Sequence, residues 1–343
     1  MRVLIALLSA LSLAGCATYQ PTFPAAEDAE SVSLHVLPVL HQEEMEVQVV
    51  VADSSAATGQ YGAIGALIGA MVDSAVTNSR AKKAERKAEV LRQATADYDL
   101  VDHLRTAVAV EPAGNGWTVD SVGDVTAETE IREGVREIFA STDVDTVMVL
   151  TGTYQLTPTV DQVSVWIKQE VFPRARAVDT QKPTPSSSRY LVYQSPLHPP
   201  VFRPFADGEK ELLKTAIERE YAQAIATEAE DEESLRKALE SELKEIDEAT
   251  EITEEIAIAE TWTPGLLAGY LDEAKTHLRF MLEYDWNERV KPEMETASLE
   301  EFQTVVASGV RTKYKGYRVG DLDKNLVYRT AGGTIYSVPA AAE

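Results

Sequence analysis

Thr146-Val-Met-Val-Leu-Thr-Gly-Thr-Tyr-Gln-Leu156 decides the fold that this sequence predicts. A second β-branched run extends from Val160 to Phe172, and Thr157-Pro158-Thr159 joins the two. Long runs rich in β-branched residues, separated by turn residues, predict two consecutive strands. We therefore expect the chain to be built around a sheet that contains both.

Further strands and helices are predicted on either side of this pair. Strands are expected over 32–40, 45–51, 117–122, 189–194, 309–319, 325–330 and 334–338, the last two flanking the turn Ala331-Gly332-Gly333. Apolar residues at helical spacing predict helices over 97–108, 128–140 and 208–249, and Thr263-Pro264 is typical of a helix start. This irregular alternation predicts an α+β fold. We expect a mixed or mostly antiparallel sheet packed by helices, a long acidic helical segment and a C-terminal β-hairpin unit.

The composition is strongly acidic, with 56 Asp and Glu against 32 Lys and Arg and a net charge of −24. This balance argues against nucleic acid as a partner, because nucleic-acid binding needs a basic surface. The excess is concentrated over 228–260, which holds 14 acidic and 3 basic residues and predicts a solvated helical face or an insertion. The single cysteine, Cys16, rules out a disulfide within the chain.

The amino-terminal residues predict export. Met1-Arg2 gives a positive end, an apolar run of 11 residues interrupted only by Ser9 and Ser12 follows from Val3 to Leu13, and small residues precede Cys16. These are the features of a secretory signal peptide, and the run is too short to span a bilayer, which takes about 20 residues. Leu13-Ala14-Gly15-Cys16 resembles the lipobox of bacterial lipoproteins. The resemblance implies cleavage before Cys16, a diacylglyceryl thioether on its sulfur and an acylated amino group. Ala17, which is not aspartate, implies sorting to the outer membrane of a Gram-negative cell.

A Gly/Ala-rich helix is predicted over 59–96. Gly62, Gly65, Ala66 and Gly69 place small residues on one helical face, an arrangement that lets helix backbones approach closely. The segment resembles the glycine-zipper segments of outer-membrane lipoproteins. Three interpretations stay open: packing against the protein's own sheet, self-association or docking to another envelope protein, and shallow insertion beside the lipid anchor.

These segments predict a division of the chain. It comprises a signal peptide (1–15), a lipidated tether (16–30), an α+β domain (31–206), a helical region (207–299) that includes the acidic segment 228–260, and a C-terminal β unit (300–343).

No motif of catalysis or metal binding is present. The five histidines, at 35, 41, 103, 198 and 277, lack zinc-site spacing, and no nucleophile elbow or phosphate-binding loop occurs. We therefore predict no catalytic residue, metal or cofactor. The expected role is that of a lipid-anchored envelope protein, on the periplasmic face of the outer membrane, that acts through protein–protein contacts with an envelope partner or a second copy. The alternative is a membrane-tethered ligand-binding or hydrolytic domain whose site lies near His198, lined by Tyr193 and acidic side chains.

Overall fold

The computed structural model describes residues 32–42, 44–47, 86–87, 89–96, 98–110, 117–126, 130–157, 159–177, 182–227, 232–287, 298–305 and 311–340. It confirms the α+β class. The lipobox residues Leu13, Ala14, Gly15 and Cys16, and the proposed helix-packing residues Gly62, Gly65, Ala66 and Gly69, lie outside the described residues.

The described strands are β1 (Val32–Leu40), β2 (Glu46–Val47), β3 (Trp117–Val122), β4 (Thr146–Leu156), β5 (Val163–Pro173), β6 (Ser187–Gln194), β7 (Glu300–Val305), β8 (Arg311–Leu322), β9 (Asn325–Arg329) and β10 (Ile335–Pro339). The described helices are α1 (89–95), α2 (Leu100–Val108), α3 (Ile131–Ser141), α4 (Arg174–Ala177), α5 (Glu209–Thr227), α6 (Glu232–Glu248), α7 (Glu254–Thr261) and α8 (Pro264–Asn287).

The strands of the described residues join in the order β3-β1-β4-β5-β6-β10-β9-β8-β7, and β2 pairs with the end of β4. On the main path the β3–β1, β1–β4 and β6–β10 pairs are parallel and the other pairs are antiparallel, so the sheet is mixed. Parallel neighbours need a crossover connection, which α2 and α3 provide in the first half of the sheet. Strand β10 joins the C-terminal strands to β6.

The predicted pair of long strands, β4 and β5, forms the centre of the sheet. Their residues are buried on both faces, which is why β4 has a continuous apolar run instead of an alternating one. Helices α2 and α8 cover one face, against Met148 and Leu150, whereas α3 covers the other, against Val147 and Val149. Gly152 lets α2 approach closely, because a Cβ there would meet the Leu104 methyl groups at 3.2 Å.

The β7–β8 ribbon folds back over the second half of the sheet, on the face opposite α8. Phe302 of β7 stacks on Tyr328 of β9, with ring centroids 4.6 Å apart, and also contacts Tyr336 of β10 at 5.4 Å. The Gln194 amide donates to the Val305 carbonyl at 3.0 Å, which fixes the end of β7 beside β6. A small aromatic core forms under the ribbon.

The long helical segment predicted over 208–249 is a hairpin of two helices, α5 and α6, with a core of its own that includes Ile217, Tyr221 and Leu235. For the helix predicted over 97–108, the predicted start at 97 was wrong. Helix α2 begins at Leu100, because the Asp99 side chain accepts from the backbone N–H of Asp102 at 2.8 Å.

Candidate functional site

His103 joins three elements in the interior. Its Nε2 lies 2.7 Å from the Leu271 carbonyl of α8 and its Nδ1 lies 2.8 Å from the Tyr154 hydroxyl of β4. A carbonyl oxygen only accepts, so Nε2 carries the proton and Nδ1 accepts from the tyrosine. Burial lowers the pKa of His103, which favours this neutral form. Both ring nitrogens are therefore satisfied within the fold.

A second buried histidine, His277, lies in a row with a serine and a glutamate. Its Nδ1 is 2.7 Å from the Ser337 hydroxyl of β10, and its Nε2 is 3.7 Å from Glu273, one turn earlier on α8. The Asn325 amide donates to the same serine oxygen at 3.1 Å. Burial lowers the pKa of His277 to about 4, so the ring is neutral near pH 7.

The residue types of this row are those of a hydrolytic triad, but its position does not fit that role. The Ser337 and His277 side chains have no solvent exposure. A nucleophile must reach the carbon it attacks, and a serine with no exposed surface is not accessible to a substrate. What the row does in this structure is to hydrogen-bond α8 to β10 and, through Asn325, to β9.

A buried ionic cluster lies further along α8. Asp285 Oδ1 is 3.4 Å from Arg189 Nη1 of β6 and 3.6 Å from Arg329 Nη1 of β9, and the Gln169 amide of β5 donates to Oδ2 at 3.2 Å. These side chains are almost fully buried. The cluster therefore joins the end of α8 to three strands, and removal of the Asp285 carboxylate would take a counter-charge away from two buried arginines.

The acidic segment 228–260 takes part in a different set of ion pairs. Arg86, which is itself helical, donates to Glu220 at 2.8 Å and also pairs with Glu242, while Lys87 pairs with Glu254. Burial disfavours the Arg86 charge, but the carboxylates of Glu242 and Glu220 outweigh it and raise the pKa of Arg86. These two basic residues thus bind the acidic helices of the same chain.

Three basic residues of β8 pair with carboxylates outside the acidic segment. Arg311 contacts Asp161, Lys313 contacts Glu301 and Arg318 contacts Asp321, each within 2.8 Å. The sheet topology brings β8 beside the residues that precede β5, beside β7 and beside its own turn into β9.

A groove of about 500 Å³ lies along β7. One wall is the strand itself from Glu301 to Val305, and the other is formed by Pro196, Leu197 and the end of β10 at Pro339 and Ala340. Gln162 lies in this lining and is almost fully buried. Its amide nitrogen donates to the Ser195 carbonyl at 2.6 Å, and its Oε1 has no hydrogen-bond partner.

The residues of the predicted alternative site are not brought together in a pocket. The His198 ring packs edge-on against Trp262, with centroids 5.7 Å apart, and Tyr193 is buried with its ring 5.2 Å from that of His277. Neither lines the β7 groove. Sequence reasoning missed Gln162 and the edge of β7, because a lone glutamine after a turn and a short strand of mixed polarity have no distinguishing pattern.

Within the part of the chain that the structure describes, no three His, Cys, Asp or Glu side chains converge as metal ligands, and no helix has the length and apolar character needed to cross a bilayer. The chain matches no protein-family model, and no curated protein matches it.

Proposed function

We propose that this chain is a lipid-anchored cell-envelope protein that acts through protein–protein contacts and catalyses no reaction. The lipobox-like sequence ending at Cys16 supports anchoring, on the periplasmic face of the outer membrane. The contact role is supported by one structural observation, the exposed apolar surface of residues 195–204, which we name the proline segment.

The proline segment exposes apolar side chains to solvent. Leu197, Val201 and Phe202 are 54%, 67% and 49% exposed, and between 196 and 202 every residue except His198 is apolar. Scattered single apolar residues on a surface are ordinary, whereas a run of adjacent ones marks an interaction site. An aromatic residue such as Phe202 is also enriched in the centres of protein interfaces.

The same segment is held rigidly despite its irregular backbone. The His198 N–H donates to the Asp161 carbonyl at 2.6 Å, the Val201 N–H donates to the Thr261 hydroxyl at 3.2 Å, and the Ile252 N–H donates to the Arg203 carbonyl at 2.8 Å. Its prolines restrict the backbone further. A preordered surface loses little conformational entropy on binding, which favours recognition of another protein.

Two measurements test the two parts of this proposal. Mass spectrometry of the mature protein should find an amino terminus at Cys16 with a lipidated sulfur. An unmodified sulfur, or a different amino terminus, would remove the proposed location.

For the contact role, a photo-crosslinking amino acid is placed at Phe202 in living cells, and a matched one at Val101, an exposed apolar residue on α2. We expect a discrete adduct with another envelope protein or a second copy from position 202 and none from position 101. The adduct should disappear when Val201→Asp is added. Equal labelling from both positions would mean that the proline segment is ordinary surface.

A further inference from the structure

Strand β7 ends the main sheet path, so one of its two edges pairs with β8 and the other faces the groove. The hydrogen bond from Gln194 to the Val305 carbonyl shows which residues point to the groove side. In a strand, backbone groups of alternate residues point to the same side. The N–H and C=O groups of Glu301 and Gln303 therefore face the groove, and no backbone bond from another described segment reaches them.

The groove contains a further unused acceptor. Gln162 Oε1 is buried beside the groove without a partner, although nearly all buried polar atoms in proteins are hydrogen-bonded. On the same side of β7, the Gln194 side-chain amide donates to the Val305 carbonyl. It makes the hydrogen bond that a backbone N–H of a neighbouring strand would make. These groups suit a ligand that carries backbone N–H and C=O groups in extended form.

The charge of the chain indicates the kind of segment. The chain has a net charge of −24, and Glu301 and Gln303 are exposed on the outer side of β7, where Glu301 also pairs with Lys313 of β8 at 2.8 Å. An acidic protein attracts basic partners over long range, and opposite charges across adjacent strands stabilise pairing. The apolar wall formed by Leu197, Pro196 and Pro339 is suited to the alternate, uncharged side chains of the same strand.

We propose that an extended segment of a partner protein, alternating basic and apolar residues, adds to the groove-side edge of β7, which pairs with no other strand among the described residues. In this arrangement Glu301 and Gln303 form backbone hydrogen bonds with it, and Gln162 Oε1 accepts a further N–H. This is β-strand addition, in which main-chain bonds provide affinity and side-chain contacts provide selectivity. The inference rests on the proposed contact function and names the form of the partner's segment.

The test uses the mature, lipidated chain in detergent micelles and a fluorescent peptide of alternating lysine and valine. Binding is followed by anisotropy, and amide hydrogen exchange locates the peptide. We expect saturable binding, slower exchange in 300–305, and at least tenfold weaker binding when alternate peptide nitrogens are methylated, since methylation removes the backbone donors. A glutamate–valine peptide should bind at least tenfold more weakly than the lysine–valine peptide.

Variants of the protein test the edge itself. Gln303→Pro removes an N–H on the groove side and should weaken binding at least tenfold, and Gln162→Leu should weaken it several-fold. Glu301→Lys should weaken binding much more than Glu233→Lys, which makes the same change of charge at an exposed glutamate of α6 that is likewise paired with a lysine. Thermal unfolding checks that each variant is folded. If Gln303→Pro does not fold, the methylated peptide still tests the backbone hydrogen bonds on the unaltered protein.

Absence of binding, protection outside 300–305, or equal binding of the methylated peptide would overturn the inference. So would a dimer of the unaltered chain that Gln303→Pro dissociates, because the occupant of the edge would then be a second copy. The proposed function is tested separately by the crosslink at Phe202. If that crosslink forms but the peptide does not bind, only the inference of strand addition is overturned.

Discussion

The His277 imidazole of α8 and the Ser337 hydroxyl of β10 hydrogen-bond at 2.7 Å in the solvent-free interior of the protein. The two residues lie 60 positions apart in the chain, and their contact holds the longest described helix on the sheet. Ser337→Ala should therefore lower the free energy of unfolding by about 1–3 kcal/mol, the cost of a buried polar atom left without its partner. Urea unfolding measures the change. Ser241→Ala, on the exposed face of α6, is the control and should change stability by less than about 0.5 kcal/mol.

The buried His277 also predicts a dependence of stability on pH. Burial lowers its pKa from 6.5 to about 4, so between these values the unfolded chain binds a proton that the folded chain does not. Stability should accordingly fall as the pH drops below about 6.5, by up to about 3 kcal/mol once the pH is under about 4.

Neighbouring groups also titrate, so the measurement must separate the effect of His277 from theirs. Burial raises the pKa of Glu273, which changes stability in the opposite direction, whereas the lowered pKa of His103 changes it in the same direction. The quantity to measure is the difference in unfolding free energy between the unaltered chain and His277→Gln at several pH values. A difference that does not vary between about pH 7 and pH 4 would contradict the prediction.

The Asp285 cluster predicts a large effect from a small change. Asp285→Asn removes the carboxylate between Arg189 and Arg329 while keeping the side-chain shape. We expect a loss of about 3–5 kcal/mol in unfolding free energy, because the arginines lose their buried counter-charge. Glu283→Gln, on the exposed side of the same helix, should be nearly neutral in the same denaturation assay. Similar values for both variants would mean that the cluster contributes little.

In the turn before β10, Gly333 has a backbone conformation that a residue with a side chain would adopt only with strain. Its φ is +85°, and a Cβ there would lie 3.1 Å from Arg189 Nε. Gly333→Ala should destabilise the protein by at least about 1 kcal/mol, because alanine disfavours positive φ and would press on the ionic cluster. Gly265→Ala is the matched control: apart from its chain neighbours and the backbone of its own helix, no atom lies within 4 Å of a Cβ there, and alanine should stabilise the first turn of α8 by up to about 1 kcal/mol. Calorimetric melting of both variants tests the contrast.

Much of the secondary structure could be predicted because its signals are local. The β-branched runs predicted β4 and β5, Thr263-Pro264 predicted the start of α8, and the turn at Gly333 predicted the final hairpin. These patterns report backbone preference and alternation of burial, which neighbouring residues determine by themselves.

The candidate site was not predictable in the same way. Gln162 and Glu301 are 139 positions apart in sequence and have ordinary local surroundings. They share a groove because β10 pairs in parallel with β6 and the β7–β8 ribbon then folds back over the sheet. The spacing of apolar residues within a segment does not indicate over which distant strands that segment folds back.

By itself, the sequence determined the acidic character of this protein, the positions of its main strands and helices, and the amino-terminal lipobox-like motif with its single cysteine. Only the tertiary structure decided which buried groups neutralise one another, where the proline segment presents its apolar side chains, and that one edge of β7 is left facing a groove. The physical reason is range: hydrophobic periodicity and turn preference act over a few residues, whereas burial, ion pairing and free strand edges depend on contacts between distant parts of the chain.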